Sequence, residues 1–136
     1  VKIVTMIARL LIGFVFFVLG SNPFIHFIPT PPIPGPAGEF LGLMFATHYI
    51  VLVGGVQVLA GLMLLTNQYV HLALVLLGAM LANILTYHIT MQPAGLPLPV
   101  IVTILWVIVA LDHRELFGVI FARTEQEHFK AISGTP

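Results

Sequence analysis

Apolar residues run through this chain in long blocks separated by proline, glycine and amide clusters, and between Arg9 and Asp112 only Glu39 carries a charge at neutral pH. The first block, about Ile3 to Gly20, predicts a membrane-length helix. Ser21 to Gly38 then holds six of the ten prolines (Pro23, Pro29, Pro31, Pro32, Pro34 and Pro36). Each proline removes a donor and clashes with the preceding turn, so that density forbids a regular helix. Phe24, Phe27 and Ile33 keep the segment apolar, and an ordered loop along the membrane interface is expected. A second helix is predicted from near Ala37 to about Leu65. Ala46 to Leu65 alone covers roughly 30 Å, so the early part should tilt or lie at the surface. The link Thr66-Asn67-Gln68-Tyr69 leads to a third span, about Val70 to Ile89, and Gln92-Pro93-Ala94-Gly95 with Pro97 and Pro99 makes the next connection. A fourth span covers about Pro99 to Leu111 and continues to Phe121 as an amphipathic extension. The tail beyond Arg123 is polar and expected to fray.

Composition turns this pattern into a fold class. The 136 residues are 59% hydrophobic and 7% charged, with mean hydropathy +1.08, whereas soluble domains carry about 25% charged residues. The expectation is an all-α, integral membrane four-helix transmembrane bundle over residues 1–122, with a Pro-rich outer loop between helices one and two. Residues 123–136 form a polar cytoplasmic tail. Lys2 and Arg9 before an apolar run imitate a secretory signal, but Ser21-Asn22-Pro23 offers no small-x-small cleavage pattern, so the segment is read as retained. Zero net charge and no basic run exclude a nucleic-acid footprint. Without cysteine, the chain alone builds no disulfide relay, thiolate nucleophile, thiolate-held zinc or iron–sulfur cluster.

All five lysines and arginines lie near the chain ends: Lys2 and Arg9, then Arg114, Arg123 and Lys130. An even number of spans puts both termini on one side, and the positive-inside bias makes that side the cytoplasm of a bacterial inner membrane. The proline-bearing connections then face outward. Arg9 lies deep enough that it should snorkel, or pair with Asp112 or Glu115 at the same end of the fourth helix.

Placed by depth, Asn22, His26, His48, Asn83, Tyr87 and His88 gather toward the outer half, and Gln57 lies near mid-bilayer. Gly54, Gln57 and Gly61 share one face, and Ala79, Asn83 and Tyr87 another. Two readings of Gln57 and Asn83 stand: hydrogen-bonding glue between the second and third helices, or the lining of a ligand cavity. His48 and His88 suit the headgroup region or a loop carbonyl, with axial ligation of a tetrapyrrole metal a weaker alternative. A metal site from Glu39, His48 and His88 has no motif to fix it. Glu39 is favoured at a helix start by the dipole, or otherwise serves as a proton acceptor beside a bound headgroup. A mechanism using two carboxylates is excluded, because no second acid lies nearby in sequence. His71, His113 and His128 read as interfacial.

Four stretches carry a family resemblance: Arg9-Leu10-Leu11-Ile12-Gly13 with Phe16, Phe17 and Gly20; Pro31-Pro32-Ile33-Pro34-Gly35-Pro36; Gln57-x-x-x-Gly61-Leu62-Met63-Leu64-Leu65; and Asn83-Ile84-Leu85-Thr86-Tyr87-His88. Over about Ile3 to Phe121 the chain resembles the DoxX family of small four-helix bacterial inner-membrane proteins. It departs from that pattern at Asn22-Pro23, where relatives often have a lysine, and at Ala79, where they often have a proline. The resemblance implies a link to thiosulfate:quinone oxidoreductase or other membrane redox complexes, with Gln57, Asn83, Tyr87 and His88 at the family's recurrent polar positions.

The resulting expectation is a membrane subunit of a quinone-linked redox complex, with a lipid-soluble quinone hydrogen-bonded by Tyr87, His88 or Gln57 in a cavity open to lipid. The alternative is a non-catalytic accessory subunit of a larger respiratory or photosynthetic assembly, with the apolar fourth helix and Trp106 as its anchor. A transporter ranks below both, since no paired repeat or intramembrane charge pathway is visible. Partners implied are the bilayer, other membrane subunits and a lipophilic small molecule.

Overall fold

A computed structural model describes residues 2–134, and these are entirely helical apart from turns and loops. The helices are α1 (Lys2–Ile25), α2 (Pro36–Ala46), α3 (Tyr49–Leu65), α4 (Val70–Thr90), α5 (Pro97–Asp112), α6 (Arg114–Ile120) and α7 (Glu125–Ser133), with a 3-10 turn at Pro93–Gly95. By length and composition α1 and α4 can each cross a membrane. Together α2 and α3 also pass, but only as a pair bent by 87°. α5 is apolar and shorter, its 16 residues covering about 24 Å.

Two boundaries differ from the sequence reading. The first helix does not stop at Gly20 but runs through Pro23 to Ile25. Pro23 sits in the last turn, where the missing N–H costs a single bond, and the end is secured locally. Ser21 Oγ donates to the Phe17 carbonyl at 2.6 Å, and the chain leaves the helix at His26, whose φ is 49°. The second difference is the break in the predicted helix from Ala37 to Leu65. His48 has a φ of 61°, and the path turns there into α3. At the other end, Gly35 at φ 76° and Pro36 at the first helical position start α2.

The packing is a ring. α1 lies along α3 and α5, and α4 lies along α3 and α5 in turn. Ile12 and Phe16 of α1, Leu64 of α3, Leu74 and Leu77 of α4 and Val109 of α5 fill its centre. The α1–α3 seam is the tightest part. A Cβ on Gly61 would lie 2.8 Å from the Gly13 carbonyl oxygen, and one on Gly54 2.6 Å from that of Gly20. The face bearing Gly54 and Gly61 therefore packs on the first helix, which corrects the expectation that it joins the second and third spans.

Arg9 also needs correcting. Its guanidinium donates across the same seam to the Leu64 carbonyl and forms no ion pair with Asp112 or Glu115. That carbonyl lies in the last turn of α3, at the negative end of the dipole, and also accepts a long bond of 3.3 Å from the Asn67 amide. Glu115 instead sits 3.9 Å from His71. Trp106, half-buried, also packs inward: its Nε1–H donates to the Leu74 carbonyl at 3.0 Å and its ring lies over Gly78. The expected fraying tail is a capped helix over Glu125–Ser133. The Thr124 hydroxyl accepts from the Glu127 amide at 3.1 Å, and the Glu127 carboxylate accepts from the Arg123 amide at 2.8 Å.

Candidate functional site

Because α2 turns away at His48, it lies across the ends of α3 and α4 and roofs the space between them. Ala37 is its buried foothold, reached by the Tyr87 hydroxyl, which donates to the Ala37 carbonyl at 3.4 Å. Phe40 adds a ring contact to Tyr87 at 5.8 Å between centroids.

Beneath this roof is a cavity of about 960 Å³. Ile50 and Val53 of α3 and Met80 and Ile84 of α4 supply apolar walls, with Phe40 and Met44 of α2 above. Its mouth is bordered by Leu43 and Tyr49, 64% and 59% exposed, and by Asn83 and Thr86 on the open face of α4. The residues lining it on α4 extend from Met80 to His88, about 12 Å of helix, and Met91 and Gln92 continue the lining past the helix end, which makes the cavity a slot along the helix axis.

Four of the six residues singled out in the sequence border this slot: Gln57, Asn83, Tyr87 and His88. Glu39 and His48 do not. Glu39 is exposed in the first turn of α2, where its carboxylate faces the positive end of the helix dipole. His48 is exposed at the corner between α2 and α3. Gln57 and Asn83 form no hydrogen bond with each other. Asn83 Nδ2 instead donates to the Ala79 carbonyl of its own helix at 3.1 Å. His88 Nδ1 lies 2.8 Å from the Ile84 carbonyl, and its ring meets Tyr87 edge-on at 5.0 Å. The far edge of that ring packs on Gly95, where a Cβ would come within 2.9 Å of Nε2. Among the described residues, no three histidines or carboxylates converge to hold a metal ion.

The sequence reading missed Phe40, Met44, Thr47 and Gln92, all of which border the slot. Their only signal was membership of apolar or turn segments, and their role depends on the fold-back at His48. A second concavity, about 620 Å³, lies under the proline loop between Asn22, His26 and Leu41. Asn22 organises it: Oδ1 accepts from the Ile28 amide at 2.7 Å and Nδ2 donates to the Ile28 carbonyl at 3.4 Å. Gly38 is required here because its Cα faces the Ile33 carbonyl with no room for a side chain. In comparisons with protein-family models, curated proteins and solved structures, the chain matches none.

Proposed function

We propose that this chain is a DoxX-like, four-span protein of the bacterial inner membrane. In this reading α1, α3, α4 and α5 cross the bilayer, α2 lies in the outer interface, and both termini are cytoplasmic. It acts as the membrane subunit of a quinone-linked redox complex, binding the quinone in the slot between α2, α3 and α4. One observation carries the reading: a slot of about 960 Å³ with apolar walls, a lateral mouth and the hydrogen-bonding groups of Gln57, Tyr87 and His88. Ligand sites of this kind are mostly apolar with a few placed polar groups. The ring contacts that hold Tyr87 between Phe40 and His88 also provide aromatic surface suited to a planar ring.

Reducing a quinone to a quinol takes two electrons and two protons. With no cysteine to hold a cluster, the chain is assigned the binding role and the electrons are assigned to a partner subunit. Extraction in mild detergent, followed by mass spectrometry of retained lipids and polypeptides, tests this. A near-stoichiometric quinone together with a redox partner is the expected result. Retained polypeptides without quinone would favour the accessory-subunit alternative, and a bare monodisperse monomer would overturn both.

A further inference from the structure

The polar groups of the slot differ in whether the protein already uses them. Thr47 and Thr86 donate to the Leu43 and Ala82 carbonyls at 2.7 and 2.8 Å, while Asn83 and Tyr87 donate to Ala79 and Ala37. Gln57 stands apart. Among the described residues its half-buried amide has no hydrogen-bond partner, although it lines the inner part of the slot. Its base is fixed: a Cβ on Gly20 would lie 2.7 Å from Gln57 Cβ, so α1 is packed directly against the stem. The free amide offers two donors and an acceptor to whatever occupies the space. Gln92, at the outer end of the same slot, is the other lining amide without a side-chain hydrogen bond.

Charge is the second observation. Among the described residues lining the slot there is no Lys, Arg, Asp or Glu, the nearby Glu39 lies outside it, and the one lining histidine, His88, has Nδ1 engaged 2.8 Å from the Ile84 carbonyl of its own helix and its other edge against Gly95, away from Gln57. An ionised headgroup pushed to the level of Gln57 would lose its hydration and find no counter-charge.

From this we infer that the slot holds an uncharged, elongated lipophile whose carbonyl or hydroxyl head is read by the Gln57 amide at the inner end. Its apolar body extends along α4 toward Gln92. Anionic lipids and fatty-acid carboxylates are rejected, and Gln57 is the specificity-determining residue. The inference rests on the slot being a lipophile site, as proposed above, but does not require that the ligand be a quinone.

The test uses the full chain in phosphatidylcholine nanodiscs with three probes of equal tail length: a decyl-substituted benzoquinone, monodecanoylglycerol and decanoate at alkaline pH. Binding is read by native mass spectrometry and thermal shift. Both neutral probes are expected to bind at least tenfold more tightly than decanoate. Gln57→Leu should weaken them about three- to tenfold, the worth of one neutral hydrogen bond. The same substitution should leave the melting temperature of the ligand-free protein unchanged or raised, because it removes an unpartnered amide from apolar surroundings. If monodecanoylglycerol binds and the quinone does not, the slot assignment holds and the quinone reading fails. If the quinone binds equally to wild type and Gln57→Leu, the role of Gln57 fails while the quinone reading stands. Tight decanoate binding to the wild-type protein overturns charge selection without recourse to any variant. A lower ligand-free melting temperature for Gln57→Leu would make the amide a structural element and overturn its role as reader.

Discussion

Along one side of α3, Gly54 and Gly61 bring its backbone against α1 with no space for a methyl group; along the adjoining side, Ile50, Val53 and Gln57 border a cavity of about 960 Å³. The two sides are built from the same apolar composition, so hydrophobicity does not separate them. What separates them is side-chain size set against a third element. Glycines on α1 and α3 let two backbones close on each other, as small residues do between membrane helices. On the other side, α2 is laid across the helix ends and the space beneath it stays open.

The comparison breaks most sharply at Gly61. Gly61→Val puts branched carbon where the Gly13 carbonyl and the Phe17 amide would each lie 2.8 Å from a Cβ, and overpacking of about 1–3 kcal/mol or more is expected. Thermal unfolding in detergent should show a large drop or loss of folded protein. Gly42 has nothing within 4 Å of a built Cβ, so Gly42→Ala should instead gain about 0.5–1 kcal/mol of helix propensity. Equal effects at the two glycines would dissolve the distinction between seam and surface.

A topological test comes next in size. With no native cysteine, single cysteines report location cleanly. Thr30→Cys, in the proline loop, should react with a membrane-impermeant maleimide in intact spheroplasts, and Ser133→Cys only after permeabilisation. Labelling of both without permeabilisation would remove the proposed even number of crossings, and protection of Thr30→Cys would remove the outer position proposed for the slot.

Smaller effects sharpen the slot side. Asn22→Ala removes both bonds to Ile28 and should cost about 1–2 kcal/mol, seen as faster proteolysis in the proline loop and little change in the α1–α3 core. Tyr87→Phe removes the hydroxyl that reaches the Ala37 carbonyl over 3.4 Å and should cost about 0.5–1 kcal/mol. Hydrogen exchange should show that loss in α2 before α3. Uniform acceleration would place α2 within the core unit, not as a separate roof.

Charge-free apolar blocks determine that Val70–Thr90 is a membrane-length helix, because span length and exclusion of charge are one-dimensional properties. Helical spacing likewise determines that Asn83 and Tyr87 share a face, since 3.6 residues per turn relates them without reference to any other element. Tertiary structure decided the rest. The face of α3 that meets α1 was not legible, because a glycine pattern marks close approach without naming the partner. Charge and depth leave Arg9 to snorkel or to pair with Asp112 or Glu115, whereas the Leu64 carbonyl that receives it is a backbone group invisible to composition. His48 is the clearest case: nothing in its neighbours requires a left-handed corner, yet that corner converts one predicted helix into two and creates the slot bordered by Gln57 and Tyr87. Local chemistry specifies elements and faces, while a cavity exists only where three elements fail to close, and that depends on the path of the whole chain.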